Sequence, residues 1–262
     1  MSRAASARPE SAARSESRTR DLPRGYLKQA QLPLAALVFL LPFIVLYEWG
    51  TWHFAFDASQ NVEQRIRAFI WMHQFFDLFG ATGKYMPPVA VVGILLSIHI
   101  ARNDPWKVKP NTLLGMALES AAWAMPLVAI GSLAARFAYP HLPLMTGQGD
   151  WRTMFVLSLG AGIYEELVFR LIGLTILHIL LIDLLRVPKK WGYLAIVAIT
   201  SVLFAQYHYW GGEPFSWRSF AFRTVAGAYF AALFLFRGFG VTAFSHSSYD
   251  IFLVCLRCCA GA

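Results

Sequence analysis

The apolar run from residue 154 to 185 is long enough to cross a bilayer. It nevertheless carries two adjacent glutamates, Glu165 and Glu166, and an arginine, Arg170, four residues after the second. Each such side chain held at mid-membrane depth costs roughly 2.5–3.5 kcal/mol on insertion scales, so a helix bearing all three needs compensating partners from other helices. That requirement limits the chain to a bundle in which this segment faces inward. Two further apolar stretches offer partners: Phe204 and His208 stand four residues apart in one, His246 and Asp250 four apart in the other. Together they predict a polar site built where water is scarce.

The rest of the sequence fits an all-α, polytopic transmembrane bundle around that site. Of its 262 residues 57% are hydrophobic and 15% charged, which falls outside the usual range of a water-soluble domain. Apolar segments at 32–49, 87–101, 112–137, 154–185, 193–209, 219–236 and 241–256 predict about seven spans. Between the first two, residues 62–80 mix Arg65, Arg67, His73 and Asp77 with aromatics, as an interfacial or re-entrant helix does. Residues 1–31, rich in Arg, Ser and Ala, read as a disordered basic cytosolic tail, and 32–262 as one integral membrane domain with its chemical motifs within 151–256.

The formal net charge of +8 sits mainly in that tail and in short loops flanking apolar runs, a pattern of membrane topology rather than of nucleic-acid binding. With the N-terminus in the cytosol, Arg102, Lys107, Lys109, Arg186, Lys189, Lys190 and Arg237 fall on the same side. This orientation places Glu165 and Asp250 near mid-depth and His208 nearer the outer face, so a tilted or broken helix has to close the gap. Gly160, Ala161 and Gly162, just before the glutamates, remove side-chain bulk and allow close approach of a neighbouring helix or of an extended peptide. Cys255, Cys258 and Cys259 crowd the C-terminal segment and imply no disulfide framework.

On a helix Glu166 reaches Arg170, whereas Glu165 points about 100° away. Glu166 with Arg170 therefore reads as a structural clamp, and Glu165 is left to hold a water and act as general base, with His208 sharing the proton. Phe204, one turn before His208, walls off the site. His246 and Asp250 share a face and are placed to contact a carbonyl whose oxygen becomes negative under attack. An ionised Asp cannot donate a hydrogen bond, so Asp250 is either protonated or acts one step back by orienting His246. Two histidines and a glutamate also make a possible zinc shell, the alternative to a cofactor-free site, although the His-Glu-x-x-His helix of zinc peptidases is absent. An ion or proton pathway would need a file of polar residues toward both surfaces, which the sequence does not display.

These residues resemble the CPBP family of intramembrane proteases, which includes CAAX-processing endopeptidases and proteins linked to bacteriocin processing or immunity. The resemblance rests on Glu165-Glu166-Leu167-Val168-Phe169-Arg170, on Phe204-Ala205-Gln206-Tyr207-His208, and on His246-Ser247-Ser248-Tyr249-Asp250. It implies an intramembrane endopeptidase in which Glu165 and His208 activate water while His246 and Asp250 assist at the carbonyl. Its substrate would be a membrane-bound or lipid-modified protein met within the lipid bilayer. The third motif carries Asp where the CAAX-processing enzymes carry Asn. The same scaffold is also compatible with a non-catalytic immunity or binding protein.

Overall fold

The computed structural model describes residues 22–57, 62–138 and 150–260; residues 1–21 of the basic tail lie outside the described residues. Among the described residues the fold is all-α apart from a two-residue antiparallel pairing of Phe56–Asp57 with Val62–Glu63. In chain order the helices are α1 (Tyr26–Ala30), α2 (Pro33–Phe54), α3 (Arg67–Asp77), α4 (Met86–Arg102), α5 (Pro110–Ala138), α6 (Trp151–Leu184), α7 (Lys189–Tyr207), α8 (Trp217–Arg237) and α9 (Phe239–Ala260).

Proline opens α2 and α5, where the first turn has no use for the missing N–H. Gly238, at φ 79°, takes a left-handed turn that reverses the chain from α8 directly into α9. Five described helices are long and apolar enough to cross a membrane: α2, α5 up to Ser132, α6, α8 and α9 up to Cys259. The shorter apolar α4 and the 19-residue α7 bring the bundle to the seven long helices expected. Large apolar side chains such as Val45, Leu118, Leu194 and Phe236 point outward, as they do when hydrocarbon is the solvent.

Helix α6 is the axis of the bundle. Its first half packs between α2 and α9 and touches α3, and its second half packs against α7. Over Ala161–Glu165 and again over Leu167–Leu174 it winds as a π-helix, with Glu166 between the two stretches. Such widened turns are rare, and they concentrate at functional sites because they re-aim side chains that an α-helix would stack.

The small residues before the glutamates serve helix packing. A Cβ on Gly160 would strike the ring of Tyr47, which lies with Phe69 and Tyr164 in an aromatic cluster. A Cβ on Gly162 would meet the Ala243 carbonyl oxygen and the side chain of Ser247, and would come within 2.6 Å of the Ser247 amide nitrogen. Thus α6 and α9 meet backbone to backbone one turn before Glu166.

Helix α3 is amphipathic, with Ala68, Phe69 and Met72 buried, in keeping with the interfacial helix expected there. Just before it, Arg65 bonds Glu48 and Glu63 and lies 4.5 Å over the Phe69 ring. Burial works against its charge, but Tyr47, Glu48 and Glu63 more than offset this and hold the guanidinium pKa above its ordinary value. Within the segment read as a tail, α1 docks on α5: Gln29 and Ala30 are buried, and the Tyr26 hydroxyl donates to Glu119, which also binds Arg237.

The Gly162 contact lies against backbone that cannot rotate away. We expect Gly162→Ala to destabilise the protein by about 1–3 kcal/mol, as overpacking does. Gly93→Ala, inside α4 where a Cβ meets nothing within 4 Å, does not lower stability. Thermal unfolding of the two purified variants in one detergent checks this.

Candidate active site

Glu166 and Arg170 expose none of their side-chain surface, so each needs a partner. The Arg170 Nε lies 3.0 Å from Glu166 Oε2, an ion pair by distance whose angle falls short of a hydrogen bond. Arg170 Nη2 donates to the Gly227 carbonyl of α8 at 3.2 Å, and the guanidinium lies 4.4 Å over the Phe204 ring. The other oxygen of Glu166 is 2.8 Å from His246 Nδ1. A carboxylate paired to arginine accepts and does not donate, so Nδ1 carries the hydrogen here. Glu166 therefore reaches further than the clamp expected of it: it ties α6 to α9 as well as to Arg170.

Glu165 faces a different way. Its Oε1 accepts the Tyr207 hydroxyl at 3.2 Å, while Oε2, buried and without a hydrogen-bond partner among the described residues, lies 4.0 Å from His208 Nε2. The His208 Nδ1 is 2.9 Å from the Phe204 carbonyl. A carbonyl only accepts, which puts the hydrogen of the neutral ring on Nδ1 and turns the Nε2 lone pair toward Glu165. The gap in depth expected between His208 and Glu165 is thus closed: His208 caps the C-terminal end of α7, which packs against the π-helical turns of α6.

Phe204 separates these two centres, lying edge-on to His208 at 5.1 Å and to His246 at 5.8 Å. Phe230 stacks on His246 at 4.7 Å. Asp250 Oδ2 lies 3.6 Å from His246 Nε2, beyond a direct hydrogen bond but close enough for one charge to feel the other. A cavity of about 390 Å³ is lined by Glu165, Phe204, His208, His246 and Asp250, while Glu166 and Arg170 stand behind it.

All seven residues singled out in the sequence therefore gather in one place, drawn from α6, α9 and the end of α7. Two others were not anticipated. Tyr207 touches Glu165, and Arg223 from α8 lines the cavity, bonded at 2.9 Å through both terminal nitrogens to Glu213. Tyr207 stands beside a motif histidine, a weak signal. Arg223 lies six residues past Trp217 in the first turns of a span, where a charge needs a reason, and that was the signal available.

Among the described residues no group of three His, Cys, Asp or Glu side chains converges in a form that would hold a metal ion. His246 Nδ1 is already committed to Glu166, and the remaining imidazole and carboxylate atoms face the cavity in separate pairs.

Fold and site together define a multi-pass helical membrane protein whose buried carboxylates, imidazoles and arginine enclose one polar cavity. Residues 147–252 match the family described as Type II CAAX prenyl endopeptidase Rce1-like, and all three motifs of the CPBP resemblance lie within the matched region. No curated protein and no solved structure matches the chain.

Removing one member of a buried ion pair leaves the other uncompensated. We expect Arg170→Met to cost about 3–5 kcal/mol. Arg170→Lys, which keeps the charge but loses the planar fork that spans Glu166 and Gly227, falls between it and the native protein. Denaturant unfolding in detergent measures both.

Proposed function

We propose that the chain is an intramembrane endopeptidase that hydrolyses a peptide bond of a membrane-associated protein with water activated by Glu165 and His208. One observation carries this reading: the unpartnered Oε2 of Glu165 and the Nε2 of His208 face each other at 4.0 Å across the cavity wall. That is too long for a direct hydrogen bond. It is close to the separation of about 4.4 Å that one water spans when it donates a hydrogen bond of about 2.8 Å to each side.

Water held this way turns a lone pair toward the cavity. As its oxygen attacks the scissile carbonyl carbon, Glu165 takes a proton, and His208 shares it. The carbonyl oxygen becomes negative and accepts a hydrogen bond from the Nε2–H of a doubly protonated His246, whose Nδ1–H is anchored on Glu166 and whose Nε2 edge lies beside Asp250, which favours the cation. Asp250 then acts one step back, through the imidazole. Collapse of the tetrahedral species expels the amine, which leaves with the proton that Glu165 and His208 gathered. No acyl-enzyme forms, and the route needs no serine or cysteine nucleophile. Residues 1–31 serve as the basic tail, on the cytosolic side, and 32–262 as the membrane domain.

The matched family is described as a CAAX prenyl endopeptidase, and we infer a lipid-modified or membrane-bound protein substrate here. An apolar groove of about 680 Å³ between α2 and α4, lined by Leu41, Val45, Trp49 and Val89 among others, offers a lipid chain a place to lie.

Glu165→Gln keeps the shape of the side chain and removes the base. We expect cleavage to fall roughly 10²–10⁴-fold, with the variant melting like the native protein. Comparative proteomics of membranes then finds an uncleaved protein accumulating in cells carrying Glu165→Gln. Undiminished biological effect from that variant would point instead to a non-catalytic immunity or binding protein on this scaffold. Chelation separates the two forms of the chemistry. We expect processing to persist after dialysis against a strong zinc chelator, and loss that added zinc restores would establish a zinc-dependent protease.

A further inference from the structure

Tyr207 is buried, and its hydroxyl is engaged from both sides. The backbone N–H of Ala68 donates to its oxygen at 2.8 Å, and the hydroxyl lies 3.2 Å from Glu165 Oε1. A phenol has a single proton. With a donor already on the oxygen, that proton goes to Glu165.

The N–H it accepts is one of those that the first turn of a helix leaves without an intrahelical partner, and Ile66, at the cap position of α3, supplies no side-chain cap. Tyr207 therefore caps α3 from another helix. Its ring is fixed by Trp71 at 5.0 Å and Phe169 at 5.2 Å, both edge-on. It has no slack in which to release Glu165.

We propose that Tyr207 is the positioning residue that selects which oxygen of Glu165 acts as the base, an inference that rests on the water-activation reading. By occupying Oε1 it rotates Oε2 toward His208 Nε2 and the cavity. Because its own oxygen is held by the first turn of α3, the orientation of the carboxylate depends on where the interfacial helix sits. A glutamate without this tether would present either oxygen, and the 4.0 Å pairing with His208 would be one arrangement among several.

The test uses the full chain in lipid nanodiscs and in cells. Dicyclohexylcarbodiimide, an apolar reagent for carboxyl groups, is applied to native protein and to Tyr207→Phe, and modification is read residue by residue by mass spectrometry. We expect Tyr207→Phe to label faster at Glu165, with Glu213 and Asp250 unchanged and the melting temperature near native. In cells, we expect roughly tenfold slower processing of the precursor that Glu165→Gln accumulates, the effect of losing a hydrogen bond to a charged group, with its steady-state capture by the protein unaltered. Equal labelling at Glu165, or native processing by Tyr207→Phe, overturns the proposal. If Glu165→Gln accumulates no precursor, the catalytic reading fails and the processing role falls with it, while the labelling still decides whether Tyr207 holds Glu165. Should Tyr207→Phe fail to fold, Ala68→Pro is read in the same way. It removes the amide hydrogen within the first turn of α3, where that hydrogen has no intrahelical acceptor, and it leaves the phenol in place.

Discussion

The structure depends on one buried carboxylate. Glu166 has no contact with solvent, and its charge is met by Arg170 one turn along the same helix and by His246 eighty residues later. Desolvating a charge is costly unless every member of the group is paired, so these residues fix the relative rotation of α6 and α9 more tightly than apolar packing would. The approach that permits it is steric. Only a residue without a side chain at position 162 lets the two backbones come close enough for Glu166 to reach the imidazole.

Adjacent glutamates are thereby given separate surroundings. Glu166 is held by Arg170 and His246, which lie in turn against the rings of Phe204 and Phe230; Glu165 opens on the cavity with one oxygen held by Tyr207 and the other without a hydrogen-bond partner among the described residues. Two like groups next to each other in sequence thus acquire different chemistry from the helix geometry alone, because successive positions point about 80–100° apart. The division of labour proposed above, a base on one side and a polarising donor on the other, rests on it. Phe204 keeps the two centres apart while touching both imidazoles.

The network extends away from the cavity. Tyr207 links Glu165 to the start of α3, and Arg65, pinned between Glu48 and Glu63, anchors the segment that leads into α3. At another corner Glu119 gathers Tyr26 and Arg237 and so fastens α1 to α5 and α8. In a bundle surrounded by hydrocarbon, apolar contacts between helices gain little over contacts with lipid, and polar links of this kind set the arrangement.

The sequence by itself determined the class of fold, the approximate number of long helices, and the side chains that would meet. Charged groups inside apolar spans are too costly to leave unpaired, and their spacing of four names their faces. It could not show that Glu166 would bind His246 as well as Arg170, that α6 would open into π-helical turns, or that Tyr207 and Arg223 would join the site. Those outcomes depend on distances between helices, which a one-dimensional pattern does not encode. The two explanations open for Gly160 and Gly162 were likewise separated only when the ring of Tyr47 and the backbone of α9 were found against them. A glycine records that something comes close, and only the assembled structure says what.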